Sequence, residues 1–133
     1  MKRFMMLAVW LIWVCIASWW FLGGADYAYG GTETGKFETI AIDATVKSLS
    51  ATCYNPVSGP YQGRQANSAT ITVDTNRVRF TTDGTAPVAT TTGHLLEVGQ
   101  SVVIEGYMNL KRAKFTKEDL GDGKIQVSYD FKS

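Results

Sequence analysis

The side chains with the most chemistry to offer are His94, the one histidine of the chain, and Cys53, one of its two cysteines. An imidazole within reach of a thiol is the smallest unit of cysteine-based catalysis, because a base must take the thiol proton before attack. Nothing in the spacing brings the two together. Thr92-Gly93-His94-Leu95 reads as a turn leading into a strand, with the imidazole bonded to backbone. Cys53 reads as a small buried hydrophobe. Its sharper use is a disulfide to a second chain, which requires an oxidising compartment. Cys15 lies within an apolar run, so an exported domain would hold one thiol and no internal disulfide.

Carboxylates are the second source of chemistry. Glu118, Asp119 and Asp122 stand beside Gly121 and Gly123, a composition that supplies oxygen ligands for calcium. Their spacing does not follow the EF-hand loop, and the segment reads as a solvated hairpin connection. Asp83-Gly84-Thr85 is a turn before it is a ligand set, since an Asp side chain bonds its own backbone two residues on. No catalytic residue, cofactor site or metal site is assigned, and the expectation is a protein that is not an enzyme.

Lys111, Arg112, Lys114 and Lys117 form the one basic patch. On a strand Arg112 and Lys114 share a face opposite Ala113 and Phe115. Such a face is solvated by default and is able to meet an acidic partner subunit, lipid headgroups or a glycan. Arg77 and Arg79 alternate around Val78, and cross-strand pairing with Asp or Glu would account for both. The chain carries 13 basic and 12 acidic residues; setting aside Lys2, Arg3 and Asp26 leaves eleven of each in the remainder. That neutrality argues against nucleic-acid binding driven by phosphate contacts.

The elements that must position these residues are strands. Ala69, Ile71 and Val73 alternate with Thr70, Thr72 and Asp74, the period of a half-buried strand, and Asp74-Thr75-Asn76 then reverses the chain. Further strands are expected at 77–82, 102–105, 111–116 and 124–131. A first strand starts near Phe37, with Ile40, Ile42, Ala44 and Val46 on one face. Pro56, Gly59, Pro60 and Gly63 keep 51–65 out of any ladder. Loops 55–64 and 86–93 are the expected contact surfaces, with Asn55, Tyr61, Arg64, Pro87 and the adjoining His94 as candidate partner-contact residues. No segment beyond residue 30 sustains a helical period. The fold class expected is all-β, an antiparallel β-sandwich of jelly-roll or immunoglobulin-like type, preceded by an N-terminal apolar helix.

After Lys2-Arg3, residues 4–22 carry no charge and include Trp10, Trp13, Trp19 and Trp20. That length matches the roughly 20 apolar residues needed to cross a bilayer as a helix. Gly23-Gly24-Ala25 and Ala28-Tyr29-Gly30 offer small-x-small cleavage sites, so residues 1–24 read equally as a signal peptide or a retained transmembrane anchor. A third reading buries the apolar helix within a virion or oligomer. Residues 25–36 read as a flexible linker and 37–133 as the β domain.

One resemblance bears on function. Tyr61-Gln62-Gly63, Ile71-Thr72-Val73, Val78-Arg79-Phe80, Asp83-Gly84-Thr85-Ala86-Pro87, Gly93-His94-Leu95-Leu96, Gly99-Gln100 and Ile125-Gln126-Val127-Ser128-Tyr129 carry it. The region 37–131 resembles small all-β proteins encoded in the structural regions of tailed phages and prophages. The resemblance implies a virion location and a head-decoration, fibre or tail-associated role, without enzymatic activity. It also implies assembly with other virion proteins and carries over no active-site residue, while self-association into a homo-oligomer is expected because exposed strand edges pair readily. The N-terminal segment motivates a competing expectation. In that reading the chain is an exported or membrane-anchored binding module on a bacterial envelope, recognising glycan or protein and holding the membrane through residues 4–22 if uncleaved.

Overall fold

The computed structural model describes residues 32–132. The expected signal peptide or anchor at 1–24, and the linker as far as residue 31, lie outside the described residues. Eight strands and two short helices follow in the order β1 (Thr32–Ile42), β2 (Lys47–Ser48), α1 (Ala51–Tyr54), β3 (Ala66–Thr75), β4 (Val78–Thr81), β5 (His94–Leu96), β6 (Ser101–Glu105), α2 (Tyr107–Arg112), β7 (Lys114–Lys117) and β8 (Gly123–Lys132). They form two four-stranded sheets, ordered β1-β8-β3-β6 and β2-β7-β4-β5. Every ladder is antiparallel. The described residues are therefore all-β, with both sheets contributing to one apolar core.

Alternation explains which residues fill that core. Along β8, Gly123, Ile125, Val127, Tyr129 and Phe131 are buried, while Lys124, Gln126, Ser128 and Asp130 between them are partly exposed. Ala69, Ile71 and Val73 of β3 face the same way, opposite Tyr129, Val127 and Ile125. Val78, Phe80 and Phe115 close the core from the second sheet, with the Phe80 and Phe115 rings stacked at 6.2 Å. Burying one such side chain contributes about 1.5–3 kcal/mol, so sheet pairing is decided mainly by these inward rows.

Several boundaries differ from those read in the sequence. β1 begins at Thr32, five residues before Phe37, because Thr32–Thr34 pair with Lys132–Asp130 at the end of β8. Its apolar face holds Ile40 and Ile42 but not Ala44 or Val46. Asp43 ends the strand, accepting a 2.8 Å bond from the Thr45 amide, and Ala44 and Val46 are left exposed. Residues 51–54 form α1 within the stretch read as irregular. Strand 111–116 is also corrected. Gly106, at φ +87°, turns the chain out of β6 into α2, so Lys111 and Arg112 are helical and β7 starts only at Lys114. Arg112 and Lys114 therefore do not share a strand face.

Candidate binding groove

Three connections, 43–46, 86–93 and 118–122, meet beside β7 and enclose an open groove of about 550 Å³. Its lining includes Ala44, Val46, Pro87, Val88, Ala89 and Leu120, with Thr116, Lys117, Glu118 and Asp119 along the β7 side. The apolar rim is unusual for its exposure: Val46 is 42% exposed, Val88 54%, and Leu120 stands wholly in solvent. Apolar side chains gathered around a concavity are the expected signature of a contact surface.

Arg79 of β4 and Arg77, just before that strand, fix the groove's walls. Glu118 takes a two-pronged bond from Arg79, Nε donating to Oε2 at 2.5 Å and Nη2 to Oε1 at 3.2 Å. The pair is well shielded, with the Glu118 side chain 8% and Arg79 16% exposed. Both partners also grip the 86–93 connection. Glu118 Oε2 accepts the Thr90 amide at 2.8 Å, and Arg79 Nη1 donates to the Gly93 carbonyl at 3.0 Å. Arg77 holds the 118–122 connection in the same manner, Nη2 donating to Asp119 Oδ1 at 2.6 Å and its own amide to Oδ2 at 3.0 Å. The guanidinium bonds, with charge attraction behind them, hold the carboxyls of Glu118 and Asp119 below the ordinary carboxylate range. The same contacts raise Arg77 and Arg79.

Backbone strain lies on the same wall. Thr90 adopts φ +66°, a left-handed conformation that its branched side chain disfavours. Gly93 sits at φ +104°, and a Cβ there would approach the Phe80 carbonyl oxygen to 2.8 Å. The connection is thus folded tightly onto β4 and tethered by Glu118. Pro87 is buried at its base, touching the space beside Gly93.

No family model, curated protein or solved structure matches the chain.

The carboxylates considered for calcium are occupied otherwise, Glu118 by Arg79, Asp119 by Arg77 and Asp122 by Lys117 at 3.0 Å. Among the described residues no group of three His, Cys, Asp or Glu side chains is placed to hold a metal. Asp83 accepts from the Thr85 amide at 2.9 Å and from its hydroxyl at 3.0 Å, as the turn reading expects.

The candidate contact residues fall in separate places. Pro87 lines the groove, and His94 opens β5, exposed, with its ring 5.4 Å from that of Phe80. Asn55, Tyr61 and Arg64 lie at the far end of the first sheet. Asn55 caps α1, its amide donating to Ala51 O at 2.9 Å. Tyr61 stacks on Phe131 at 4.7 Å, and the Arg64 guanidinium lies over Tyr61 while donating to the Lys132 carbonyl. The 55–64 connection is therefore packed onto β1 and β8. Arg112 lies near Gly84, whereas Lys114 Nζ donates to Ser48 Oγ at 2.8 Å. Val88 and Leu120 escaped the sequence reading, because single apolar residues in turns carry no periodic signal, whereas Val46 was expected on the apolar face of the first strand.

Cys53 is half-buried against the core, and burial, followed by the Glu38 charge, raises its thiol above the ordinary value. A thiol so placed is a poor nucleophile at neutral pH.

Proposed function

We propose that this chain is a non-enzymatic structural protein that assembles on a larger particle, a phage-type virion, as a decoration, fibre or tail-associated component. The observation that carries the reading is the groove. Its carboxylates, Asp119 and Glu118, are spent on Arg77 and Arg79, while Val46, Val88 and Leu120 are left in solvent. A wall of satisfied ion pairs under an apolar rim suits recognition of another protein's surface. The sequence resemblance to small proteins of phage structural regions supplies the kind of particle. In this reading the two sheets pack as a β-sandwich of jelly-roll or immunoglobulin-like type, which their shared core favours.

Fractionation of particles from an induced host tests the proposal. The chain is expected to sediment with the particles, and Leu120→Asp to shift it to the soluble pool. Its absence from purified particles overturns the virion role.

A second reading rests on residues 4–22, the uncharged N-terminal run. Here the β domain is an exported or membrane-anchored module of a bacterial envelope, and the groove receives an envelope protein or glycan. Intact mass of the chain recovered from membrane and soluble fractions separates the two forms. Loss of about the first 25–30 residues marks a cleaved signal, and full-length mass in the membrane fraction marks an anchor.

A further inference from the structure

Three of the four sheet edges are short: β6 has five residues, β5 three and β2 two. Short edge strands protect a β protein from unwanted pairing. β1 is different. It is an eleven-residue strand at the rim of its sheet, paired to β8 on one side, and among the described residues no strand pairs with the other. Phe37 sits midway on its outer face, 62% exposed, and its neighbours Lys36 and Glu38 carry opposite charges.

We propose that β1 is the interface with a second copy of this chain, pairing antiparallel about a two-fold axis at Phe37. The choice of register follows from charge. About Phe37, Lys36 of each copy lies opposite Glu38 of the other, and the two Phe37 rings become a cross-strand aromatic pair. About residue 38, two Glu38 side chains would face each other. About residue 39, Glu38 would face Ile40 and the aromatic pair would be lost. Of these three registers, only the one about Phe37 makes the charges complementary. The inner side of the strand is firm enough to serve as a template. Glu38 accepts from the Ser50 amide at 3.1 Å and from the Tyr129 hydroxyl, and the Tyr61 ring lies where a Cβ on Gly35 would go, seating the bulge between Thr34 and Lys36. Main-chain bonds then supply affinity and the two sheets become one continuous sheet. Such an isologous contact is the commonest form of self-assembly. The inference deepens the assembly reading, on which it rests, by naming one partner and its surface.

Disulfide trapping of the full-length chain in mild detergent tests it, in a background of Cys15→Ser and Cys53→Ser. Directly opposed residues of an antiparallel pair lie within disulfide reach, so Phe37→Cys is expected to cross-link about tenfold faster than Val103→Cys on the outer face of β6. Val103 is 55% exposed and is therefore a fair control. Adding Lys36→Glu to Phe37→Cys places like charges opposite each other twice and is expected to slow trapping about tenfold. Equal trapping at residues 37 and 103, or faster trapping at Thr39→Cys than at Phe37→Cys, overturns the proposal. The particle fractionation above is read separately. Trapping at residue 37 without particle association keeps the dimer and overturns the virion role, and particle association without trapping does the reverse.

Discussion

The hydroxyl of Tyr129 donates to Oε1 of Glu38, which also accepts the Ser50 amide, so one carboxylate ties β1 to the core face of β8 and to the start of α1. Tyr129 is fully buried, and burial, reinforced by Glu38, raises its phenol far above the ordinary value. A raised phenol favours the protonated form in the folded state. Its stability contribution is therefore complete below the ordinary tyrosine range, and is lost as pH rises beyond it, where the unfolded chain ionises first. Urea midpoints measured from about pH 9 to about pH 11 should fall for the natural chain, and fall less for Tyr129→Phe.

The acid limb has the opposite sign. Glu118 and Asp119 are held below the ordinary carboxylate range by their arginines, and Asp83 by the Thr85 bonds. Depressed carboxyls stabilise the fold above that range, and the stability goes as pH falls through their folded values, because the unfolded chain takes up protons first. Urea titrations from about pH 7 to about pH 3 should show a declining midpoint, and Glu118→Gln should lower the neutral-pH midpoint while shallowing the decline.

Arg79 and Glu118 also hold the 86–93 connection. Removing the carboxylate frees the Thr90 amide, whose left-handed backbone then relaxes. Amide exchange at Thr90 should accelerate about tenfold or more in Glu118→Ala, with core amides of β3 and β8 slowed as before.

Gly93→Ala should destabilise the fold by about 2–3 kcal/mol, because the added methyl meets the Phe80 carbonyl in a backbone conformation that alanine disfavours. Chemical denaturation gives the value directly. A change below about 0.5 kcal/mol would mean that the connection shifts to make room.

Val88→Asp and Leu120→Asp test the groove without touching the core. Both side chains are exposed, so stability should stay within about 0.5 kcal/mol of the natural chain. Binding to the particle or envelope partner should weaken about tenfold or more.

What the sequence revealed of the fold follows the physics of one-sided burial. β3 and β8 were legible because Ile71, Val73, Ile125 and Val127 alternate with polar residues, and a sheet with one face inside demands that period. The N-terminal third of β1 was not, because Glu33, Gly35 and Lys36 interrupt any apolar alternation and only pairing with β8 makes the segment a strand. α2 was missed for its length. Tyr107 and Leu110, three apart, are its whole inward face, too short a pattern to register as a period. The arginines at 77 and 79 signalled a need for carboxylates, but their partners depend on the register of β4 against β7, a tertiary fact. The groove was invisible for the same reason, since Val46, Val88 and Leu120 meet only when three distant connections converge.

The pairing of Thr32 with Lys132 places the two ends of the described chain side by side. β8, which separates β1 from β3, is the last of the described strands to be synthesised. Until it arrives β1 has no partner among the described strands and β3 lacks one of its two, so the first sheet closes only once β8 is made. A sheet that waits for its final strand folds slowly, through contacts distant in sequence. Such a sheet is badly suited to losing the ten residues of β8, because β1 and β3 would then have nothing between them.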